Sequence, residues 1–348
     1  MKKLHIKTSK KYPILIGSGV IGQIEPNCEH VVIISDRKVA KLYAVKLQNI
    51  LKRKVKKVDL LTFPAGEKSK NIINYESLQN SLLKLGADTE TVLLALGGGV
   101  VGDMTGFVAA TYMRGIRFIQ VPTTLLAAVD SSIGGKTGVD LAVAKNVIGA
   151  FWHPEAVYID LEFLESLPIR QFSSGLAEII KAAIIADAKL FNLLEKISFE
   201  NLRTDKKLLE KVIYRSIKVK QKLVEKDERD TGQRHLLNFG HTIGHALEAQ
   251  VGYGKISHGE AVAVGMFQEL NLTKNSKELS LRLLALLESF RLPNLISKDI
   301  SIEELLRSIR HDKKKKDVAI DLILIPRLGQ AKIKSFKISK SLIKKLMT

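Results

Sequence analysis

Apolar and polar positions come in blocks along the first half of the chain. Val31 to Asp36 is a run of buried type that ends in an acid. Asp59–Phe63, Thr91–Leu96, Phe118–Pro122 and Ala156–Asp160 are short apolar runs of the same kind. Between them Val39–Leu51 and Asn74–Leu85 carry helical spacing, the second stopped by Gly86. Met1 to Lys7 alternates as a first strand. Short apolar runs separated by helical segments predict a parallel sheet covered on both faces. After Leu167-Pro168 the period becomes helical. Gly175–Ala188, Lys206–Glu228, Thr242–Gln250, Gly259–Lys274, Leu279–Phe290 and Ile302–Ile309 are expected helices. Ala319–Ile325 and Ala331–Ile338 flank Pro326-Arg327-Leu328-Gly329 as a terminal hairpin. The expected organisation is an α/β domain over residues 1–168, then a mainly α-helical domain over 169–348.

Composition narrows the class. The 348 residues are 45% hydrophobic and 26% charged, which excludes a disordered or collagen-like chain. The single cysteine, Cys28, excludes a disulfide framework and a Cys-rich zinc module, and favours the cytoplasm. No apolar run approaches the roughly 18–20 residues that span a bilayer, and the N-terminus lacks the apolar stretch of a signal peptide. The net charge is +19. It divides as +7 over residues 1–170 and +12 over 171–348, and 41 of the 55 basic groups are Lys. Spread, Lys-rich charge reads as solvated surface, with a share left to attract an anionic substrate. No aromatic stacking motif or zinc finger supports a nucleic-acid reading.

Four segments carry candidate chemistry. Gly97-Gly98-Gly99-Val100-Val101-Gly102-Asp103 fits G-x-G-x-x-G directly after a strand and before a helical stretch, the arrangement that lets backbone approach a pyrophosphate. The acid expected about 20 residues later for a ribose is absent, and Asp36 at the end of an earlier strand takes that place. Asp130-Ser131-Ser132-Ile133-Gly134-Gly135-Lys136-Thr137-Gly138 contains Gly-Gly-Lys-Thr, but Ser131 stands where a P-loop needs its first Gly, so a P-loop NTPase is excluded. Lys136 remains a point charge for phosphate, and Lys145-Asn146 adds a cation and an amide. His241 and His245 lie at i, i+4 and share a helical face, and His258 follows, so three of the eight histidines fall within 18 residues. With Glu178, which shares a helical face with Lys181 three residues on, they suit zinc with an open position. Spacing leaves open whether His245 is a ligand or an acid/base group. Finally, Lys220, Asp230 and Arg234 precede Asn238 and His241, and Arg is the preferred fork for a carboxylate.

Taken in order, these segments resemble the 3-dehydroquinate synthase family. The resemblance rests on Pro64–Lys70, Gly97–Asp103, Tyr112-Met113-Arg114-Gly115, Pro122-Thr123-Thr124, Asp130–Gly138, Lys145-Asn146, Ala177–Lys181, Asp227–Arg234, Asn238–Glu248 and His258-Gly259-Glu260, which together run across nearly the whole chain. It implies a Rossmann-like nucleotide-binding domain over residues 1–168, a metal- and substrate-binding helical domain over 169–348, NAD+, and one zinc or cobalt ion per subunit. It also implies conversion of 3-deoxy-D-arabino-heptulosonate 7-phosphate into 3-dehydroquinate and phosphate. In that chemistry C5 is oxidised transiently, phosphate leaves, the cofactor is regenerated and an aldol step closes the ring.

The resemblance also implies roles. Glu178, His241 and His258 become the metal ligands, with His245 beside the substrate. NAD+ contacts fall on Asp36, on Ala65, Gly66, Glu67, Lys68, Ser69 and Lys70, and on Gly98, Gly99, Val100, Val101, Gly102 and Asp103. Thr123, Thr124, Lys136 and Lys145 join them, as do Phe163, Leu164, Glu165 and Ser166. Lys136 and Asn146 match phosphate and substrate contacts. Asp130, Lys181, Lys220, Arg234 and Asn238 match further substrate positions. Arg114 matches a residue given to the neighbouring subunit's site, which implies a homodimer. Lys313 or Lys314 is expected to close over the phosphate. Three residues depart from the family pattern: Asp230 for Glu, Gln233 for Leu and Ile243 for Phe. The alternatives are another NAD- and zinc-dependent sugar-phosphate cyclase, disfavoured by Arg234, and a metal-dependent polyol or glycerol-phosphate dehydrogenase, which would accumulate NADH.

Overall fold

The structure is a computed structural model. It describes residues 1–141, 144–252, 255–272, 277–294, 319–337, 339 and 342. The chain divides into two compact units, Met1–Leu167 and Pro168–Thr348.

The first unit is built on a seven-stranded sheet. Its strands are β1 (Lys2–Lys7), β2 (Lys11–Gly17), β3 (His30–Asp36), β4 (Lys57–Phe63), β5 (Val92–Gly97), β6 (Arg117–Pro122) and β9 (Val157–Asp160). They lie in the order β1-β2-β9-β6-β5-β3-β4, parallel except for the β1–β2 hairpin at one edge. Helices α1 (Arg37–Leu51), α2 (Ile72–Lys84), α3 (Gly99–Thr111) and α4 (Glu162–Glu165) complete the sheet layers. Alternate residues of one strand face opposite sides. Val31 and Ile33 therefore join Leu47 and Leu51 of α1 in one core. Val32 and Ile34 join Leu78 of α2 and Met104 of α3 in the other. Because α1 follows β3 on one face and α3 follows β5 on the other, the sheet has its topological switch point at the carboxyl ends of β3 and β5. Doubly wound sheets bind ligands at that point.

A hairpin, β7 (Lys136–Leu141) with β8 (Ala144–Phe151), lies against α3. The apolar pattern predicts no strands here, and packing explains why they form. A Cβ on Gly106 of α3 would sit 2.4 Å from the Thr137 methyl, and one on Gly149 would sit 2.2 Å from the Thr137 carbonyl oxygen. Gly106 thus lets helix and hairpin close on each other, and Gly149 lets the two strands of the hairpin do the same. Strand β2 also went unread from the pattern.

The second unit is mainly helical, with α5 (Ile169–Ala186), α6 (Ala188–Leu194), α7 (Phe199–Thr204), α8 (Lys206–Lys226), α9 (His241–Val251), α10 (His258–Leu270) and α11 (Lys277–Ser289). The helix expected over Gly175–Ala188 begins earlier and breaks at Asp187, whose side chain caps α6 by accepting from the Leu190 N–H. The expected hairpin is present as β10 (Ala319–Arg327) antiparallel to β11 (Gln330–Lys337). The helix expected over Ile302–Ile309, and both Lys313 and Lys314, lie outside the described residues. Among the described residues no helix is long and apolar enough to cross a membrane.

Two helix contacts in this unit are set by glycine. A Cβ on Gly265 of α10 would lie 1.9 Å from the carbonyl oxygen of Gly240, which immediately precedes α9. A Cβ on Gly259 of α10 would lie 2.1 Å from the carbonyl oxygen of Ser174 in α5. The Ser174 hydroxyl also accepts from the Gly259 N–H at 3.0 Å. Both obstacles are backbone, so neither can swing aside. Gly265→Ala is expected to force α9 and α10 apart and cost more than about 2 kcal/mol. Urea unfolding checks this, and an unchanged midpoint would show that the contact does not hold the helices.

Candidate active site

In the first unit the candidate groups gather at the switch point. The Ser35 hydroxyl donates to the Leu96 carbonyl at 2.7 Å, tying the ends of β3 and β5 together. Helix α3 starts at Gly99, and Gly98 precedes it without any side-chain cap. A Cβ on Gly98 would press on the Thr124 methyl at 3.1 Å, and one on Gly99 on the Ser131 hydroxyl at 3.0 Å. A side chain at either place would crowd the end of the helix. The Asp36 carboxylate caps α1, its Oδ1 accepting from the Lys38 and Val39 N–H groups at 2.9 and 3.0 Å. The acid proposed for a ribose is therefore held in place by the helix that follows it.

A polar network lies beside this point. Lys70 is 4% exposed. Its ammonium donates to Asp103 Oδ2 at 2.6 Å and to Asn146 Oδ1 at 2.5 Å. Asn146, at φ +55°, donates its N–H to Asp140 Oδ1 at 2.8 Å. Lys145 reaches Glu67 at 3.3 Å. Burial pushes the Asp103 carboxyl above the usual carboxylate range against the pull of Lys70. Burial likewise works against the Lys70 ammonium, but Asp103 more than offsets it and the pKa rises. Residues from 67 to 146 in sequence are thus joined in one cluster, which spacing could not show.

Other expected contacts are placed differently. Val101, Ser69 and Thr123 are buried. Phe163 and Leu164 are buried too, and Phe163 stacks on Tyr43 of α1 with ring centroids 4.5 Å apart. Glu165 and Ser166 are exposed, with Ser166 bonded to the Tyr43 hydroxyl. Ala65, Gly66, Glu67 and Lys68 form the turn before α2, and Gly66 has φ +105°. Lys136 is exposed at the start of β7. Asp130 is near enough for its charge to raise Asp103 further. Arg114 is exposed after α3 at φ +67°, next to Met113 at φ +48°. Two successive non-glycine residues in the left-handed region are uncommon, and such strain concentrates at functional positions.

In the second unit Glu178, His241 and His258 come together, each offering an atom within 4.8 Å of the others. Glu178 on α5 is 2% exposed. Neither of its oxygens accepts a well-formed hydrogen bond among the described residues. Charge surrounds it instead: the Lys181 ammonium one turn on makes an ion pair. His258 Nε2 lies 3.6 Å and His241 Nε2 3.9 Å from its Oε1. A buried carboxylate without hydrogen bonds is costly unless a cation answers it.

Both rings are aimed from behind. His241 Nδ1 donates to the Phe239 carbonyl at 3.3 Å, which leaves Nε2 facing Glu178. Burial, and then the Lys181 charge, hold the His241 pKa well below its usual value, so the ring is neutral with a lone pair to give. His258 is the first residue of α10, after a capping box in which Ser257 and Glu260 bond reciprocally. Arg170 grips Glu260 with a fork at 2.7 and 2.6 Å. Burial opposes charge on His258, but Glu178 and Glu248 push its pKa up to about 10. His245 is exposed on α9, its ring centroid 5.2 Å from that of His241, and it is outside the Glu178 group.

The cations proposed for substrate sit on packed elements. Helix α5, with Lys181, packs against α8, with Lys220, and both pack against the 3-10 turn Gln233–Asn238. Lys181, Lys220 and Arg234 are all buried, and Asn238 is exposed. Arg234 donates to the Glu228 carbonyl at 2.7 Å. Asp227 holds the turn before it, accepting from the N–H groups of Thr231, Gly232 and Arg234 at 3.0, 2.7 and 3.0 Å. Those bonds hold the Asp227 carboxyl down at about 2. Asp230 has φ +58°, a conformation in which Asp is enriched, which gives its departure from Glu a backbone reason.

Glu269 was not legible. It is fully buried on α10, and its carboxyl faces the N–H groups of Gly240 and Thr242 at the start of α9 and of Ile323 in β10. It makes no bond of good geometry to any of them. Burial raises its pKa to about 8. The folded protein thus favours the protonated acid, and stability falls as pH rises from the ordinary carboxylate range through about 8. Glu269→Gln is expected to flatten that fall. Melting temperatures of both proteins from pH 5 to 8 check it, and parallel profiles would contradict it.

The doubly wound unit and the helical unit together give the chain a sugar-phosphate-cyclase-like fold. The family descriptions "3-dehydroquinate synthase N-terminal" and "3-dehydroquinate synthase C-terminal" match residues 60–174 and 175–315. A relative in Colwellia psychrerythraea, named 3-dehydroquinate synthase, is 43% identical over 93% of this chain and 94% of its own. The chain belongs to the 3-dehydroquinate synthase family. Its fold is shared with a 2-deoxy-scyllo-inosose synthase solved with carbaglucose-6-phosphate, NAD+ and Co2+, at TM-score 0.89, 26% identity and 99% coverage of both chains. It is shared as well with a 2-epi-5-epi-valiolone synthase from Streptomyces hygroscopicus solved with NAD+ and Zn2+, at TM-score 0.88 and 24% identity, covering 99% of this chain and 97% of that one.

Proposed function

We propose that the chain catalyses the 3-dehydroquinate synthase reaction, turning 3-deoxy-D-arabino-heptulosonate 7-phosphate into 3-dehydroquinate and phosphate within aromatic biosynthesis. The observation that carries this reading is the set of three buried cations, Lys181, Lys220 and Arg234, on elements packed around the Glu178–His241–His258 cluster. Buried cations gathered at one site suit a substrate with two anionic ends. A polyol or glycerol-phosphate dehydrogenase does not have two such ends to hold, and a cyclase for sugar phosphates that lack a carboxylate has none for Arg234.

The residues fit both expected groups. Glu178, with both oxygens lacking hydrogen bonds, and two rings presenting Nε2 suit a zinc or cobalt ion. Bound there, the metal supplies Lewis acidity toward a substrate hydroxyl. The side-chain-free start of α3 suits a pyrophosphate, and NAD+ supplies a hydride acceptor that is regenerated within the cycle. Gly98–Asp103, Asp36, the 65–70 turn, Thr123, Thr124, Lys145 and the 163–166 segment are assigned to that cofactor. Among the chain's own groups, Lys136 and Asn146 hold the phosphate, and Arg234 with Lys220 and Asn238 orients the carboxylate end. His245, one turn beyond His241 and exposed, moves a proton at the substrate. Lys181, paired with Glu178, and Asp130 take the further substrate positions. Positioning of two anions in a basic setting carries most of the work.

The reading extends to a homodimer in which exposed Arg114 reaches the neighbouring site, and to a cytoplasmic location consistent with the single free thiol at Cys28. A protein that sediments only as a monomer would remove the first of these. The main test follows phosphate and NADH in one cuvette with purified protein, NAD+, zinc and the heptulosonate phosphate. Phosphate release without NADH accumulation, abolished by a chelator, is expected. Accumulating NADH, or no phosphate, would replace the reading with a dehydrogenase or a different cyclase.

A further inference from the structure

We propose that Glu248 is the positioning residue of the metal centre, fixing His258 through its Nδ1 proton. The inference rests on the metal part of the proposed function. Glu248 lies on α9 two turns beyond His241, so both project from one helical face. It is 8% exposed, and its Oε2 accepts from His258 Nδ1 at 3.4 Å. The same ring presents Nε2 to Glu178 at 3.6 Å. One imidazole thus spans two buried carboxylates, one on each nitrogen.

The two helices that bring them together have little freedom to do otherwise. A Cβ on Gly244, between His241 and Glu248, would lie 3.1 Å from the Ala261 carbonyl oxygen of α10. His258 stands at the first turn of α10, and Glu248 meets its ring from α9. Accepting the Nδ1 proton fixes the tautomer with Nε2 as the ligand atom and makes that nitrogen a stronger donor. The arrangement on His258 parallels that on His241, whose Nδ1 donates to the Phe239 carbonyl. His258 receives a charged acceptor where His241 receives a neutral one.

His245, Glu248 and His258 also lie within reach of one cation on the Nδ1 side. A second bound ion is therefore the competing outcome. The test is zinc affinity by chelator competition, with stoichiometry by elemental analysis, for the full-length wild-type and Glu248→Gln proteins. The visible spectra of both cobalt-loaded proteins are recorded alongside. Glu248→Gln is expected to keep one equivalent of zinc, bind it about 10- to 100-fold more weakly, shift the cobalt bands and melt like the wild type when metal-free. Equal affinity with unshifted bands would overturn the proposal. So would two equivalents in the wild type falling to one in the variant, which would make Glu248 a ligand. Wild-type protein that binds no metal would overturn the metal reading itself, a failure distinct from the other two.

Discussion

A single buried carboxylate organises the second unit. Glu178 is withdrawn from water, and what meets it is a lysine and two imidazole nitrogens rather than hydrogen-bond donors of good geometry. Such a group is tolerated only where positive charge is supplied, so the helices around it must deliver cations to one point. The glycines do this. Gly259 lets α10 touch α5 at Ser174, one turn before Glu178, and so carries His258 in. Gly240 and Gly265 close α9 onto α10 and bring His241 alongside. The rings then meet with centroids 5.1 Å apart. Larger residues at these contacts would keep the same ligands on the same helices and hold them too far apart.

The first unit follows a related logic with different parts. There the sheet provides the frame, and the reversal of strand order opens the ends of β3 and β5 to a ligand. The Lys70 ammonium is buried between Asp103 and Asn146, so α3, the turn before α2 and the β7–β8 hairpin are pinned by one charged group. Lys145, the neighbour of Asn146, reaches Glu67 on the same turn. Residues assigned to cofactor and to substrate are in this way held by each other before either ligand arrives. That is preorganisation in the sense that limits the entropy lost on binding.

Much of this was legible in the chain. Strands β3 and β5 announce themselves because both their faces are buried and they are built on continuous apolar runs. The helical spacing of His241 and His245, and the glycines after β5, pointed to chemistry directly. The β7–β8 hairpin was not legible, since Gly134-Gly135-Lys136-Thr137-Gly138 has turn composition and its strands are stabilised by α3 rather than by their own pattern. Glu248 was visible only as the end of a motif. Its role depends on a residue ten positions later being folded back on it by two helices. Glu269 carries no local signal at all, because its partners are the backbone of another helix and a strand. Asp36 was read as an acid at a strand end, while its capping bonds to α1 appear only once the helix start is fixed.

The central claim is that Glu178, His241 and His258 hold one metal ion. Crystals of zinc-loaded protein, measured on both sides of the zinc absorption edge, address it directly. The account predicts one anomalous peak per chain, bounded by a Glu178 oxygen and the Nε2 atoms of His241 and His258. A peak bounded by other residues, or none in crystals grown with zinc, would contradict it.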